Sequence, residues 1–232
     1  MNNDLITVYN ILSEDASKFM TVLNAYLLDK VQEKTSLHKA LNEFFMLFYW
    51  MTEHQRMCRT CNGVSTNMEG GYSFLLQFTS NHFNEQKDCT LNELFQVYQE
   101  GSVLEEYKCK KCLVQSESVE TDKIVTLPSI LCAVVSRNIN HEGRPILINS
   151  PVDYPVDKLR GANITLDGHM NNDGHSYRLF GVINYKSTGG DAGHYAAICK
   201  SKDSRDWFEY NDGDVRKSEF RKHNSGPKKA PY

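Results

Sequence analysis

The residues best suited to chemistry in this chain are a histidine and an asparagine near its C-terminal end. His194 stands in the sequence Gly-His-Tyr, and Asn211 ends the run Trp-Phe-Glu-Tyr-Asn just before Asp212. An imidazole can take a proton from a thiol, and an amide or carboxylate beside it fixes the orientation and tautomer of the ring. His194 and Asn211 therefore have the residue types of a general base and its orienting partner.

Strand-prone runs on either side of a polar stretch place this pair on one surface. Residues 195–199 and 206–210 predict a β-hairpin that sets His194 directly opposite Asn211. Because side chains alternate along a strand, the histidine and the asparagine would share one face of the sheet. For the isolated pair, a surface histidine beside an ordinary hairpin is the alternative interpretation.

Four of the seven cysteines form two CxxC motifs, one at residues 58–61 and one at residues 109–112. Two such knuckles supply the four thiolates of a closed tetrahedral zinc site. We therefore predict structural zinc that fastens a small finger and is bound by Cys58, Cys61, Cys109 and Cys112. Redox-active thiols or buried cysteines are the alternatives. The lysines around the second knuckle are interpreted as a solvated turn.

Composition limits the possible classes of protein. With 232 residues, of which 40% are hydrophobic and 24% charged, the chain suits one domain with an inserted module. A net charge of -3 gives no basic field, so we expect no nucleic-acid partner. The longest apolar run, residues 44–51, is too short to cross a bilayer. The odd number of cysteines and the lack of an export signal predict a cytoplasmic or nuclear protein.

Periodicity and capping signals predict three helices. Amphipathic spacing predicts one helix over residues 13–27 and a second from about Ser36 to Phe48. Thr90 and Glu93 form a capping box that opens the third helix, which should end near Gly101. Short strands are predicted from Glu117 onward, and residues 163–175 are predicted to form a surface loop. The predicted strands are 72–78, 119–127, 130–135, 145–148, 177–185 and the hairpin.

The order of these features resembles the catalytic domain of the ubiquitin-specific proteases from about Leu12 to Val215. The most specific part is the C-terminal one, which is the histidine box of that family in nearly full form. The matching segments are Ser13–Phe19, Leu47–Phe48, Thr90–Phe95, the two knuckles, Leu127–Leu131, Tyr177–Ile183, Gly193–Tyr195 and Trp207–Val215.

This resemblance implies an α+β, papain-like fold with a palm sheet, a partial helical thumb and a zinc-bound finger. It implies a truncated domain over residues 1–220, with a finger module inserted at about 52–125 and a disordered basic tail at 221–232. By the same resemblance, His194 is the general base, Asn211 orients it and Asp212 gives polar support. Gly193 and Tyr195 are implied to bind the substrate, the glycine-ended tail of ubiquitin.

The cysteine box is the family feature without a counterpart. In the family it precedes the first matching helix and supplies the nucleophile and an oxyanion-hole amide, whereas residues 1–57 contain no cysteine. We therefore expect these residues to lack the nucleophile, and losing one oxyanion donor costs about 3 kcal/mol. Cys89, Cys132 and Cys199 are interpreted as small buried apolar residues.

Three functions fit this sequence. The first is a deubiquitinase, a thiol hydrolase of isopeptide or peptide bonds at the C-terminus of ubiquitin, recorded here without its first part. The second is a catalytically inactive relative, or pseudoenzyme, that binds ubiquitin or ubiquitinated proteins as a scaffold or competitor. The third is a remnant that folds poorly. A zinc protein unrelated to ubiquitin would leave the histidine box unexplained.

Overall fold

A computed structural model describes residues 25, 36–79, 89–141, 143–148, 150–165, 176–189, 192–204 and 206–218. The helix predicted over residues 13–27 lies outside this part of the chain except for Ala25. Most of the loop predicted at 163–175 and all of the tail at 221–232 also lie outside it.

Two α-helices fall within the described residues, and both were predicted. Helix α1 runs over Ser36–Met46 and buries Phe45, while helix α2 runs over Leu91–Glu100. The capping box of α2 is formed as expected. The Glu93 amide donates to Thr90 Oγ1 at 3.2 Å, and the Thr90 amide donates to Glu93 Oε2 at 2.7 Å. In the described part of the chain, no helix has the length and apolar character needed to span a membrane.

Gly101 ends α2 because the site has no room for a side chain. Its φ of 75° lies in the region that favours glycine, and a Cβ there would meet the carbonyl oxygen of Glu120 at 1.8 Å. The close approach joins the end of α2 directly to the neighbouring strand.

A four-stranded antiparallel sheet carries the two cysteine knuckles. Its strands are β1 (Trp50–Cys58), β2 (Val64–Gly71), β5 (Ser102–Lys108) and β6 (Gln115–Thr126), in the order β2-β1-β6-β5. The sequence analysis predicted only part of β6 and missed the other three strands. They carry polar side chains on both faces, so the alternation that marks a half-buried strand is absent.

Polar and charged contacts across the strands take the place of apolar packing in part of this sheet. His54 Nδ1 lies 3.0 Å from Asp122 Oδ1, and the Arg56 guanidinium pairs with Glu120. These residues lie opposite one another in the register of β1 and β6. Opposite charges that face each other across strands stabilise the pairing, so the two strands can form without an apolar face.

The hydrophobic core lies between α2 and the base of this sheet. Trp50 stacks on Phe74 with ring centroids 4.5 Å apart, and Phe74 in turn contacts Phe95 edge-on. Phe74 belongs to β3 (Phe74–Gln77), which pairs in parallel with β7 (Ala133–Ser136). The other core residues are Leu76, Phe78, Cys89, Leu94, Ile124, Leu127, Ile139, Ile148, Val152, Leu159 and Ile164.

A second four-stranded antiparallel sheet ends the described chain. Its strands, in spatial order, are β13 (Gly181–Gly189), β14 (Ala192–Lys200), β15 (Trp207–Asn211) and β16 (Asp214–Ser218). The Tyr177 hydroxyl donates to the carbonyl oxygen of Pro128 at 2.6 Å just before this sheet begins. The remaining strands are β4 (Cys89–Thr90), β8 (Asn138–His141), β9 (Arg144–Leu147), β10 (Val152–Asp153), β11 (Leu159–Arg160) and β12 (Ser176–Tyr177).

Candidate functional site

Strands β14 and β15 position His194 and Asn211 in a register two residues away from the predicted one. Ile198 pairs with Glu209 and Lys200 with Trp207, so the prediction that His194 lies directly opposite Asn211 is wrong. A shift of two residues leaves every side chain on its original face. The prediction that His194 and Asn211 share a face is therefore confirmed.

The connection between the two strands explains the register. The Ser201 amide donates to the carbonyl oxygen of Asp206 at 2.7 Å, which closes the hairpin one pair beyond Lys200. The Ser201 hydroxyl accepts from the amides of Asp203 and Ser204, so a serine turn organises the loop. The prediction centred the hairpin between Lys202 and Asp203, whereas these contacts centre it one residue later, so every residue has a different partner.

The side chains of His194 and Asn211 are joined by a hydrogen bond. His194 Nε2 lies 2.5 Å from Asn211 Oδ1. Because an amide oxygen can only accept, the neutral imidazole must carry its proton on Nε2 and donate it. Nδ1 is then left with a free lone pair. In this tautomer Nδ1 can accept a proton, as a general base must.

Asp212 lies beside the same ring nitrogen but more loosely. Its Oδ2 is 3.8 Å from His194 Nε2, and its side chain is 83% exposed. The residue has a φ of 52° in the turn that leads from β15 to β16. At 3.8 Å and largely exposed to solvent, this carboxylate interacts more weakly with the ring than the Asn211 amide does.

The two predicted substrate-binding residues flank His194 on β14. Gly193 pairs with Ser187 of β13, close to a register shift at the end of that strand. Tyr195 pairs with Tyr185 and, by strand alternation, lies on the face opposite His194, with 37% of its surface exposed.

None of the cysteines forms a hydrogen bond with His194, although all seven lie in the described part of the chain. Cys199 pairs with Phe208 and lies on the opposite face from His194, as predicted. Cys89 is fully buried, whereas Cys132 and Cys199 are half-buried. Burial raises the pKa of the Cys132 thiol, which makes it a weaker nucleophile.

The four knuckle cysteines converge at one end of the first sheet. Their sulfur atoms all lie within 4.8 Å of one another, so the cluster could hold a metal ion. Cys58 Sγ lies 3.9 Å from Cys112 Sγ, and Cys61 Sγ lies 3.7 Å from Cys109 Sγ. These separations are far longer than a disulfide bond, and all four thiols are free.

The two knuckles repeat the same backbone hydrogen bonds. The Asn62 amide donates to the carbonyl oxygen of Cys58, and the Leu113 amide donates to that of Cys109, both at 2.9 Å. Asn62 and Leu113 also have positive φ angles, 53° and 63°. In the first knuckle Gly63 follows Asn62, and a Cβ at Gly63 would lie 2.7 Å from Lys111 Cδ. The knuckles thus pack directly on each other.

Hydrogen bonds and burial give two thiols of the cluster very different pKa values. A hydrogen bond with the Ser116 hydroxyl and the amides of Cys61 and Thr60 lower the pKa of Cys58 to about 6, against the effect of burial. The amide of Val114 lowers the pKa of Cys112, but burial and the neighbouring thiols outweigh it and raise that pKa to about 11. Four crowded thiols cannot all ionise without a cation between them.

A polar groove on the same sheet was missed by the sequence analysis. It encloses a cavity of about 430 Å³ lined by His54, Arg56, Ser65, Thr66, Asn67, Glu69, Tyr107 and Lys110. No local motif marks these residues because the β1–β2 hairpin meets Tyr107 and Lys110, which lie much later in the sequence.

Comparison with known families identifies the class of protein. The family model described as "Ubiquitin carboxyl-terminal hydrolase" matches residues 4–232, nearly the whole chain. The chain therefore belongs to the ubiquitin carboxyl-terminal hydrolase family.

Two curated relatives agree with this assignment. Ubiquitin carboxyl-terminal hydrolase 2 of Bos taurus is 24% identical over 172 residues, which cover 73% of this chain. Ubiquitin carboxyl-terminal hydrolase Usp2 of Drosophila melanogaster is 26% identical over 173 residues, again 73% of this chain. The matches cover only 27% and 17% of those relatives.

Solved structures show the same fold. A yeast SAGA DUB module with an Sgf73 mutant matches with a TM-score of 0.65 at 20% identity, over 87% of this chain and 45% of that one. The Ubp8/Sgf11/Sus1/Sgf73 DUB module bound to ubiquitin aldehyde matches with a TM-score of 0.59 at 20% identity, over 87% and 44%. The α+β, ubiquitin-specific-protease type of fold predicted from the sequence is confirmed.

Proposed function

We propose that this chain carries the general-base half of a thiol-hydrolase site that acts at the C-terminus of ubiquitin. The hydrogen bond between His194 and Asn211 is the observation that carries the proposal. With the Nε2 proton committed to Asn211, Nδ1 of His194 can accept a proton from a thiol. The thiolate then attacks the carbonyl carbon of the scissile bond, and the imidazolium returns its proton to the leaving amine.

Asn211 and Asp212 have different tasks in this proposal. Asn211 holds the ring by a direct hydrogen bond in both protonation states, since Nε2 carries a proton in each. Asp212, at 3.8 Å and largely exposed, stabilises only the charged ring. Gly193 would let the backbone of a glycine-ended tail pass close to the base. We propose that Tyr195, the next residue of β14, also contacts the substrate.

We propose that the four-cysteine cluster binds zinc. A zinc ion bound by four thiolates at about 2.3 Å requires sulfur atoms about 3.8 Å apart at the corners of a tetrahedron. The separations of 3.7 and 3.9 Å fit this requirement. The metal would fix the knuckles at the end of a sheet that has little apolar core of its own.

The proposed division of the chain follows from these parts. We propose one ubiquitin-specific-protease domain over residues 1–220, with the finger module at about 52–125 inserted in it. Residues 221–232 would lie outside that domain. Cytoplasm or nucleus is the proposed location.

Ubiquitin is the proposed partner. Among the solved structures of similar fold, one SAGA DUB module is bound to ubiquitin aldehyde and another to monoubiquitin. In both cases it is that other protein to which the ubiquitin is bound. Their relevance to this chain rests on the shared family and on the His194–Asn211 pair.

A catalytically inactive ubiquitin-binding protein is the second candidate for the chain as it stands. It is favoured by the placement of the cysteines. Four belong to the metal cluster, Cys199 lies on the wrong face of the sheet, and none forms a hydrogen bond with His194. The 232 residues would then bind ubiquitin without cleaving it.

The test is hydrolysis of a fluorogenic ubiquitin C-terminal amide by the zinc-loaded chain, beside its H194A variant. We expect no turnover from either protein, and direct binding of ubiquitin by both. Turnover that disappears in H194A would mean that one of the seven cysteines serves as the nucleophile. Absence of ubiquitin binding by a folded chain would overturn the proposed partner.

A further inference from the structure

The two knuckles end in a surface that the proposed reaction does not use. This surface, the knuckle tip, consists of Leu113 and Val114 with the cations Arg59, Lys108, Lys110 and Lys111. Leu113 is 69% exposed and Val114 is 45% exposed. All four cations are exposed as well.

Leu113 occupies a backbone position that does not suit it. Its φ of 63° lies in the left-handed region, where a Cβ is crowded and asparagine or glycine is preferred. The equivalent position of the other knuckle is Asn62, with the same hydrogen bond and nearly the same φ. The fold of a knuckle therefore does not require leucine here. A costly residue that the fold does not need points to a different use.

The charge of the two knuckle loops has one sign, with the nearest acidic residues, Glu106 and Glu117, directly outside them. Residues 57–64 and 107–116 contain the four cations and no aspartate or glutamate, in a chain with a net charge of -3. None of the four forms an ion pair with another described residue. Lysines near a tetrathiolate centre can offset its negative charge, but that role explains neither Leu113 nor Val114.

We propose that the knuckle tip docks an acidic segment of a partner protein that inserts an apolar side chain against Leu113 and Val114. Exposed aliphatic residues surrounded by cations match such a segment in both apolarity and charge. Nucleic acid fits less well, since Tyr107, the aromatic residue next to these cations, is half-buried and already has the Arg56 guanidinium over its ring. The proposal does not depend on hydrolysis of ubiquitin. It requires only the four-cysteine site that folds the knuckles.

The test measures fluorescence anisotropy of a labelled synthetic peptide in which glutamates are interspersed with leucines, added to the zinc-loaded chain. Two further peptides replace the glutamates by lysine or the leucines by serine, and a single-stranded oligonucleotide forms a fourth arm. We expect binding of the acidic leucine peptide, weakened by salt and at least about tenfold tighter than binding of the other three probes.

Variants locate the contact. L113N copies the other knuckle, so it should keep the zinc content and melting temperature while losing about tenfold or more in peptide affinity. K110E/K111E should lose a similar factor at low salt. The matched controls are V103N, at an exposed valine of the same sheet, and K158E/K202E, a charge change at exposed lysines away from the knuckles.

Several results would overturn the proposal. These are no binding of the acidic leucine peptide at high micromolar concentration, equal losses in the control variants, or a preference for the lysine peptide or the oligonucleotide. Binding of ubiquitin provides the distinction from the proposed function. The knuckle-tip variants should leave it unchanged, and a loss of ubiquitin affinity without a loss of peptide affinity would assign the tip to ubiquitin instead.

Discussion

The hydrogen bond between His194 and Asn211 decides which ring nitrogen can act as a base. It uses Nε2 as the donor and leaves Nδ1 open. Asp212 lies farther away and in solvent, so it cannot fix the tautomer in the same manner. The two neighbouring residues of the sequence therefore differ in their importance for the site.

This difference can be measured without catalysis. In the unmodified chain, the neutral His194 ring should be almost entirely the Nε2–H tautomer, and N211A should give a mixture of tautomers. D212A should leave the tautomer unchanged. The nitrogen chemical shifts of the imidazole, read by NMR, distinguish the two forms. A tautomer shift in D212A but not in N211A would reverse the assigned roles.

Local residue chemistry could be predicted from the sequence, whereas the register of the paired strands could not. The His194–Asn211 pair was found because each residue adjoins a recognisable strand. The CxxC motifs were found because metal ligands need a fixed spacing. The register was missed because the Ser201 turn, rather than the centre of the polar stretch, sets the hairpin. The error preserved the faces only because it was an even number of residues.

Helix α2 was predicted in full because its signals are local. The capping box of Thr90 and Glu93 and the steric limit at Gly101 lie within one short segment. The pairing of β1 with β6 was missed for the opposite reason, because it depends on contacts such as His54 with Asp122, residues that lie 68 positions apart.

The N-terminal cap of α2 should contribute measurably to stability. T90A removes the acceptor for the Glu93 amide and should lower the free energy of unfolding by about 1 kcal/mol. T90S retains the hydroxyl and should recover most of the loss. Urea denaturation followed by tryptophan fluorescence is the measurement. Equal losses in T90A and T90S would show that the cap hydrogen bond has little effect.

The metal cluster should determine the stability of the first sheet. Removal of zinc by a chelator should lower the melting temperature and broaden the transition, because the knuckles are held by the metal rather than by an apolar core. C58S should show the same behaviour without chelator and no further response to it. C199S, at a cysteine outside the cluster, should match the unmodified chain. A transition that does not respond to chelator would contradict the proposed zinc site.

A tyrosine hydrogen bond links the region before the second sheet to the core. Burial raises the pKa of Tyr177 to about 12, and its hydroxyl donates to the carbonyl oxygen of Pro128. An unfolded tyrosine ionises near a pKa of about 10, so the unfolded chain loses this proton first as the pH rises. The stability that Tyr177 contributes is therefore complete below pH of about 10 and is lost towards about 12.

The Y177F variant tests this direction of the pH dependence of stability. At neutral pH it should be less stable than the unmodified chain by about 1 kcal/mol, because the Pro128 carbonyl loses its donor. The difference should shrink as the pH rises above about 10. Chemical denaturation of both proteins across this range measures it. A difference that grows with pH would contradict the assigned hydrogen bond.

The described part of the chain contains two four-stranded antiparallel sheets, each of which carries one of the two candidate sites. The first carries the four-cysteine cluster and the knuckle tip, and the second carries the His194–Asn211 pair. Family membership rests on a match across nearly the whole chain, while the matches cover only 27% and 17% of the two curated relatives described above. Activity, substrate and partners are therefore proposals about this chain, each with its own experiment.

The most direct test of the account is to observe the His194 imidazole by NMR while ubiquitin is added to the zinc-loaded chain. Intact ubiquitin should shift the His194 signals, whereas ubiquitin trimmed of its C-terminal glycines should bind more weakly and leave them in place. That result would put the ubiquitin tail at the base. Binding of ubiquitin without any change at His194, or with equal changes for both forms, would contradict the assignment of this histidine to ubiquitin-directed chemistry.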